Sequence, residues 1–184
     1  DQKIDCVAYG CTSGTVAAGY DVIEKNIKLS KPEAKVTTPI TSAIKALKVF
    51  NISKISVFTP YTKSINDSVL NYFKKENITV NELTYFDIES DLDIGKVDEK
   101  YLIEVLSKIN LEDSEALFVS CTALPVLSII EKLEERLNKI VLSSNQTLIW
   151  DSLNLIGYKD DIEGFGKLFK INTWILQKQN TKID

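Results

Sequence analysis

The chain has 184 residues, 44% of them apolar and 26% charged, and its 22 Lys and Arg against 26 Asp and Glu leave a net charge of -4. That length and composition suit a globular core, and basic residues interleaved with acidic ones argue against a nucleic-acid partner. With no His and only three Cys, zinc sites of the Cys/His type, Ser-His-Asp triads and Cys-His pairs are excluded within the chain, so chemistry would rest on Cys, Asp, Glu, Lys, Tyr or backbone amides.

Short β-rich runs alternate with segments of helical period, the pattern of an α/β protein with parallel strands built from β-α units. The first strand is predicted over residues 4–9 (IDCVAY), buried and running into a helix, with Cys11, Thr12 and Ser13 packed in the turn. Cys6, inside that apolar strand, reads as core. A second strand follows over 54–59 (KISVFT), then a helix over SINDSVLNYFKKEN with Ile65, Val69, Leu70 and Phe73 on one face. The third strand covers 79–85. The acidic run DIESDLDIGKVDEK reads as solvated surface and lacks the glycine placement of a calcium loop. The helix DEKYLIEVLSKI places Tyr101, Leu102, Val105, Leu106 and Ile109 together.

A fourth strand over 115–120 opens the longest apolar run, ALFVSCTALPVLSII, which Ser, Cys, Thr and Pro interrupt. It is shorter than the roughly 20 residues needed to cross a bilayer, so no membrane span is expected. No secretory leader pattern is present at the start, and cytoplasm is the expected compartment. The segment LPVLSIIEKLEERL reads as a helix, 139–143 as the fifth strand, SSNQ as a turn and helix cap, and TLIWDSLNLI and GFGKLFKINTWILQK as further helices.

Ligands of parallel α/β sheets bind at the carboxyl ends of strands. Here those ends carry Gly10-Cys11-Thr12-Ser13-Gly14, Thr59-Pro60-Tyr61-Thr62, Ser120-Cys121-Thr122 and Ser143-Ser144-Asn145-Gln146. Thiols, hydroxyls and amides gathered in this way suit a small anion that wants hydrogen-bond donors. AYGCTSG and FVSCTAL also echo one another about 110 residues apart, which suggests two similar lobes, each delivering one Cys-Thr pair. The plainer readings are that Thr12, Ser13 and Thr122 only cap helices and that Tyr61 covers a sheet edge. Neither G-x-G-x-x-G nor a Walker A motif is present.

In order and spacing, AYGCTSGT, FTPY, SCTALPVL, SSNQTLIWDSL and GFGKLF resemble the aspartate/glutamate racemase superfamily. The resemblance is to its clade of maleate cis-trans isomerases, arylmalonate decarboxylases and ectoine-utilisation racemase-like proteins. It implies a cofactor-independent isomerase or racemase of a small carboxylic or dicarboxylic acid, and a homodimer or larger assembly. The implied fold is two pseudo-symmetric α/β lobes, residues 1–50 plus 147–184 and residues 51–146, with the site in the cleft between them. Cys11 and Cys121 would be the facing catalytic pair, and Thr12, Ser13, Tyr61 and Thr122 would bind carboxylate by side chain or amide. Family members carry a further β-α unit ahead of the first strand, absent from this sequence. The decarboxylases have Gly in place of the first cysteine, so the retained pair favours an isomerase over the two alternatives, an arylmalonate-type decarboxylase and a non-catalytic small-carboxylate-binding module. Asp91 stands where the maleate isomerases have Asn, an acidic group that would repel a dicarboxylate.

A thiol at a helix N-terminus is acidified and can act as base or nucleophile without His. One thiolate could remove an α-proton while the opposite thiol returns one, or add to a double bond and let the resulting single bond rotate before elimination.

Overall fold

The computed structural model describes residues 3–171. Strand β1 (Cys6–Ala8) leads through helices α1 (Thr12–Ala18) and α2 (Tyr20–Ser30) to β2 (Lys35–Thr37), which pairs with it in parallel, Val7 opposite Val36. Helix α3 (Pro39–Val49), with Pro at its first position where no amide partner is needed, leads into the second sheet. Strands β3 (Lys54–Thr59), β4 (Thr79–Tyr85), β5 (Ala116–Val119) and β6 (Ile140–Ser143) form that sheet in the order β4-β3-β5-β6, all parallel.

The reason for this order is written in the strands. KISVFT and ALFV are nearly continuous apolar runs and lie buried in the interior of the sheet. TVNELTY alternates and takes the half-exposed edge. Helices α4 (Lys63–Lys75), α5 (Asp91–Ile94), α6 (Glu99–Leu106), α7 (Ile130–Leu137) and α8 (Ser144–Ile156) supply the flanks. Val69 and Phe73 of α4 are fully buried, and Phe73 meets Phe118 of β5 edge-on at 5.5 Å.

Several expectations need correction. β1 is half-exposed rather than buried, because it pairs only with β2 among the described strands, and Cys6 is half-buried rather than core. Helices α2 and α3 and the strand β2 between them lie beyond the expected elements; β2 is three residues long and offers little period to read. Ile65 and Tyr101 are exposed, and Tyr101 instead stacks on Phe86 at 5.8 Å. Pro125 breaks the segment 124–137, so a 3-10 turn over Leu127–Ile129 precedes α7. The predicted last helix is a 3-10 turn at Lys167–Lys170 in its described part; its remainder lies outside the described residues.

Asp151 of α8, buried at 4% exposure, ties the first sheet to its helices. Its Oδ2 accepts from Thr37 Oγ1 of β2 and from Ser42 Oγ (3.3 Å) and Lys45 Nζ (2.7 Å) of α3. Lys45 is half-exposed, so the buried hydroxyls carry most of the effect. Asp151→Ala is expected to lower unfolding stability by about 2 kcal/mol in urea titrations. Asp93→Ala, which removes only an exposed pair with Lys96, should stay within about 0.5 kcal/mol of the parent.

Candidate active site

Because β3, β5 and β6 are neighbours, their carboxyl ends bring Tyr61, Cys121 and Ser144 to one place. Cys121 follows β5 directly and has φ of +89°. Among the described residues the other non-glycine positions at positive φ are Asn51, Asn77, Asp87 and Asn138, types that tolerate the left-handed region. A cysteine there is strained, and such strain persists where surrounding bonds hold it. The hold is visible: Cys121 N–H donates to Ser144 Oγ at 3.0 Å, and Asn145 Nδ2 donates to the Thr122 carbonyl at 2.9 Å.

The turn after β1 docks against this one. Thr122 Oγ1 donates to the Gly10 carbonyl at 2.7 Å, and Thr12 Oγ1 meets Ser144 Oγ at 2.9 Å. The structure therefore brings the two Cys-Thr turns together. Cys11 is the N-cap of α1, and its Sγ accepts the Gly14 amide at 3.2 Å with Ser13 Oγ 3.8 Å away. Gly14 is required by close approach: a Cβ there would lie 2.8 Å from both Cys11 Sγ and Tyr9 Oη. The first helical bond of α1 runs from Thr15 N to Cys11 O, so the amides of Thr12 and Ser13 precede it, as helix-initial donors do. The Thr12 and Thr122 hydroxyls are thus engaged by protein partners, Ser144 Oγ and the Gly10 carbonyl.

Burial, the largest influence, pushes the Cys121 thiol above its ordinary value of 9.0. The Ala123 amide, the Tyr61 hydroxyl and the Leu124 amide act in the opposite sense by favouring the thiolate, while Asp91 adds to the rise through its charge. Asp91 opens α5, which sits against the Cys121 turn: a Cβ on Gly95 would lie 3.6 Å from the Asp91 carbonyl and 3.7 Å from that of Ala123. Tyr61 is buried at 4% exposure; burial first, then the neighbouring Cys121, raises its phenol well above the usual range. Ser120 Oγ donates to its Oη at 3.3 Å.

Ser144 and Tyr9 were not singled out from sequence. SSNQ carried the cap signal, and α8 does open with a capping box between Ser143 and Gln146. The cap pattern locates the helix start, but Ser144's partners Thr12 and Cys121 are distant in sequence.

Two strand-end cysteine turns bonded to one another, on parallel α/β sheets, define a thiol-bearing strand-end site. The chain belongs to the arylmalonate decarboxylase family, whose model matches residues 21–169, a span that holds Tyr61, Cys121 and Ser144. It is 24% identical over 176 residues to the maleate isomerase of Alcaligenes faecalis, covering 91% of this chain and 70% of that protein. The fold matches that of the Pseudomonas putida S16 maleate isomerase, a cysteine-to-alanine variant with maleate. There the TM-score is 0.81 at 21% identity, over 91% of this chain and 70% of the other. It also matches a cysteine-to-serine mutant of the Nocardia farcinica maleate cis-trans isomerase with a covalently bound succinylcysteine intermediate. That match has a TM-score of 0.81 at 17% identity, over 90% of this chain and 71% of the other.

Proposed function

We propose that this protein is a cofactor-independent isomerase of a small carboxylic or dicarboxylic acid, working through Cys11 and Cys121. The observation that carries the reading is the docking of the two Cys-Thr turns through Thr122–Gly10 and Thr12–Ser144–Cys121. The maleate isomerase relatives and the succinylcysteine of the Nocardia protein support thiol addition. Cys11, whose sulfur accepts an amide N–H, is the nucleophile or base. Cys121, which burial keeps protonated, is the proton donor.

In cis-trans isomerisation the Cys11 thiolate adds to one alkene carbon while the Cys121 thiol protonates the neighbouring one, leaving a Cys121 thiolate. Rotation about the new single bond precedes return of that proton to Cys121 and expulsion of the Cys11 thiolate, which restores the double bond. In racemisation the thiolate takes an α-proton and Cys121 supplies one to the opposite face. Either route enriches negative charge on the carboxylate, which the amides of Thr12 and Ser13 and, at the other turn, Thr122 would stabilise. The same reading takes residues 1–50 plus 147–184 and 51–146 as the two lobes, with Tyr61 lining the cleft, and includes a homo-oligomeric, cytoplasmic protein. Among the described residues no helix is long and apolar enough to cross a membrane.

The family description favours a second reading, decarboxylation of a malonate-type acid. Proton NMR of the protein with maleate, amino-dicarboxylic acids and an arylmalonate in deuterated water separates the two. Isomerisation is expected as a trans product or as deuterium at an α-carbon. Carbon dioxide release would move the assignment to decarboxylase, and binding without exchange or product would overturn catalysis altogether.

A further inference from the structure

One hydroxyl beside the cysteine turns is left uncommitted. Thr122 Oγ1 donates its proton to the Gly10 carbonyl, Thr12 Oγ1 pairs with Ser144 Oγ, and Tyr61 Oη accepts from Ser120 Oγ. Among the described residues nothing is hydrogen-bonded to Tyr9 Oη, and Tyr9 is 37% exposed. Tyr9 follows β1 directly and its backbone is held on both sides: its N–H donates to the Thr37 carbonyl at 2.9 Å, and its carbonyl accepts the Cys11 N–H at 3.0 Å. Across this tight turn the side chains of Tyr9 and Cys11 both come to Gly14. The place a Gly14 Cβ would take lies 2.8 Å from Cys11 Sγ and 2.8 Å from Tyr9 Oη, so sulfur and phenol oxygen are at most twice that distance apart. The lack of a side chain at Gly14 lets thiol and phenol share this space, and the Gly14 N–H fixes the sulfur at 3.2 Å.

We propose that Tyr9 is a substrate-binding residue: its phenol donates a hydrogen bond to the carboxylate of the acid on which Cys11 acts. The distances suit the task. A carbon placed for attack lies about 3 to 3.5 Å from the sulfur, and a carboxylate on that carbon or its neighbour has an oxygen within reach of a hydroxyl so close to the same sulfur. An ionised carboxylate only accepts, and a phenol brings one proton to it. Charge-assisted bonds of this kind are short and strong, and this one strengthens as the reaction moves negative charge onto the carboxylate. No protein group has to release the phenol first, whereas the Thr122 proton is held by Gly10. The inference rests on Cys11 as a working thiol of the proposed isomerase and adds a side-chain donor on its side of the site.

The test uses a Cys6→Ser, Cys121→Ser background in which Cys11 is the sole thiol, with succinate, a dicarboxylate that has no double bond to attack, as the probe. The rate of iodoacetamide alkylation of Cys11 is followed as succinate is raised, which gives the concentration that halves the rate. Tyr9→Phe keeps the ring and removes only the hydroxyl of a part-exposed side chain, so the fold is expected to survive by circular dichroism. The half-protecting concentration is expected to rise at least about tenfold, the size of one lost hydrogen bond to a charged group. A Tyr9→Phe value equal to that of the background protein overturns the proposal, and so does a background protein that succinate fails to protect. No turnover enters this measurement, so a chain that succinate protects but that converts no acid would sink the proposed function and leave the Tyr9 contact standing.

Discussion

Cys11→Ser and Cys121→Ser are each expected to lower turnover by roughly 10³-fold or more, with circular dichroism and urea midpoint close to the parent. A serine hydroxyl is far harder to ionise than a thiol and a poorer nucleophile, so in place of Cys11 it neither adds to an alkene nor takes an α-proton at neutral pH. In place of Cys121 it is close in shape and leaves the backbone bond to Ser144 intact, which explains why the fold should survive. The losses should not multiply in the double variant, because in the proposed mechanism the two thiols serve one step. Steady-state rates on a substrate the parent converts check all three variants. Near-parental turnover in either single variant would refute the two-thiol mechanism.

The second large effect concerns pH. Burial holds the Cys121 proton above the ordinary thiol value of 9.0, so the proposed donor is intact across the neutral range and is lost only as pH rises through its elevated midpoint. The expected kcat/KM profile keeps its activity to at least pH 9.0 and falls on the alkaline side. Below the midpoint the slope from this group is flat. Stability follows the same sign. The native state retains this proton where the unfolded chain has released it, so the contribution is fully present below the unfolded value and lost as pH rises through the folded one. Cys121→Ser should therefore flatten the alkaline decline of the urea midpoint. An activity limb that breaks well below the ordinary thiol value would show that Cys121 is not the donor.

Local chemistry determined much of this protein from sequence alone. The strands KISVFT and TVNELTY are found at the residues read from their composition, and the Cys-Thr pairs stand at strand ends because hydrophobic runs stop there. Even the family could be read, since its short motifs keep their order along the chain, and the family match agrees. What period could not supply was neighbourhood. LPVLSIIEKLEERL reads as one apolar stripe, yet Pro125 and the turn holding Cys121 delay α7 to Ile130. Cys6 reads as core from its apolar neighbours, yet its burial depends on what covers β1, and that strand pairs only with β2 among those described.

The site divides in the same way. Residue type marked Cys11, Cys121 and Tyr61, because thiols and phenols at strand ends are uncommon and chemically pointed. Only the tertiary structure decided that β3, β5 and β6 lie side by side, so that Tyr61 meets Cys121 and Ser144 reaches both cysteine turns. Those contacts join residues up to 132 positions apart. They depend on the order of strands in a sheet, which hydrogen bonding and core packing settle among distant segments and no local pattern encodes.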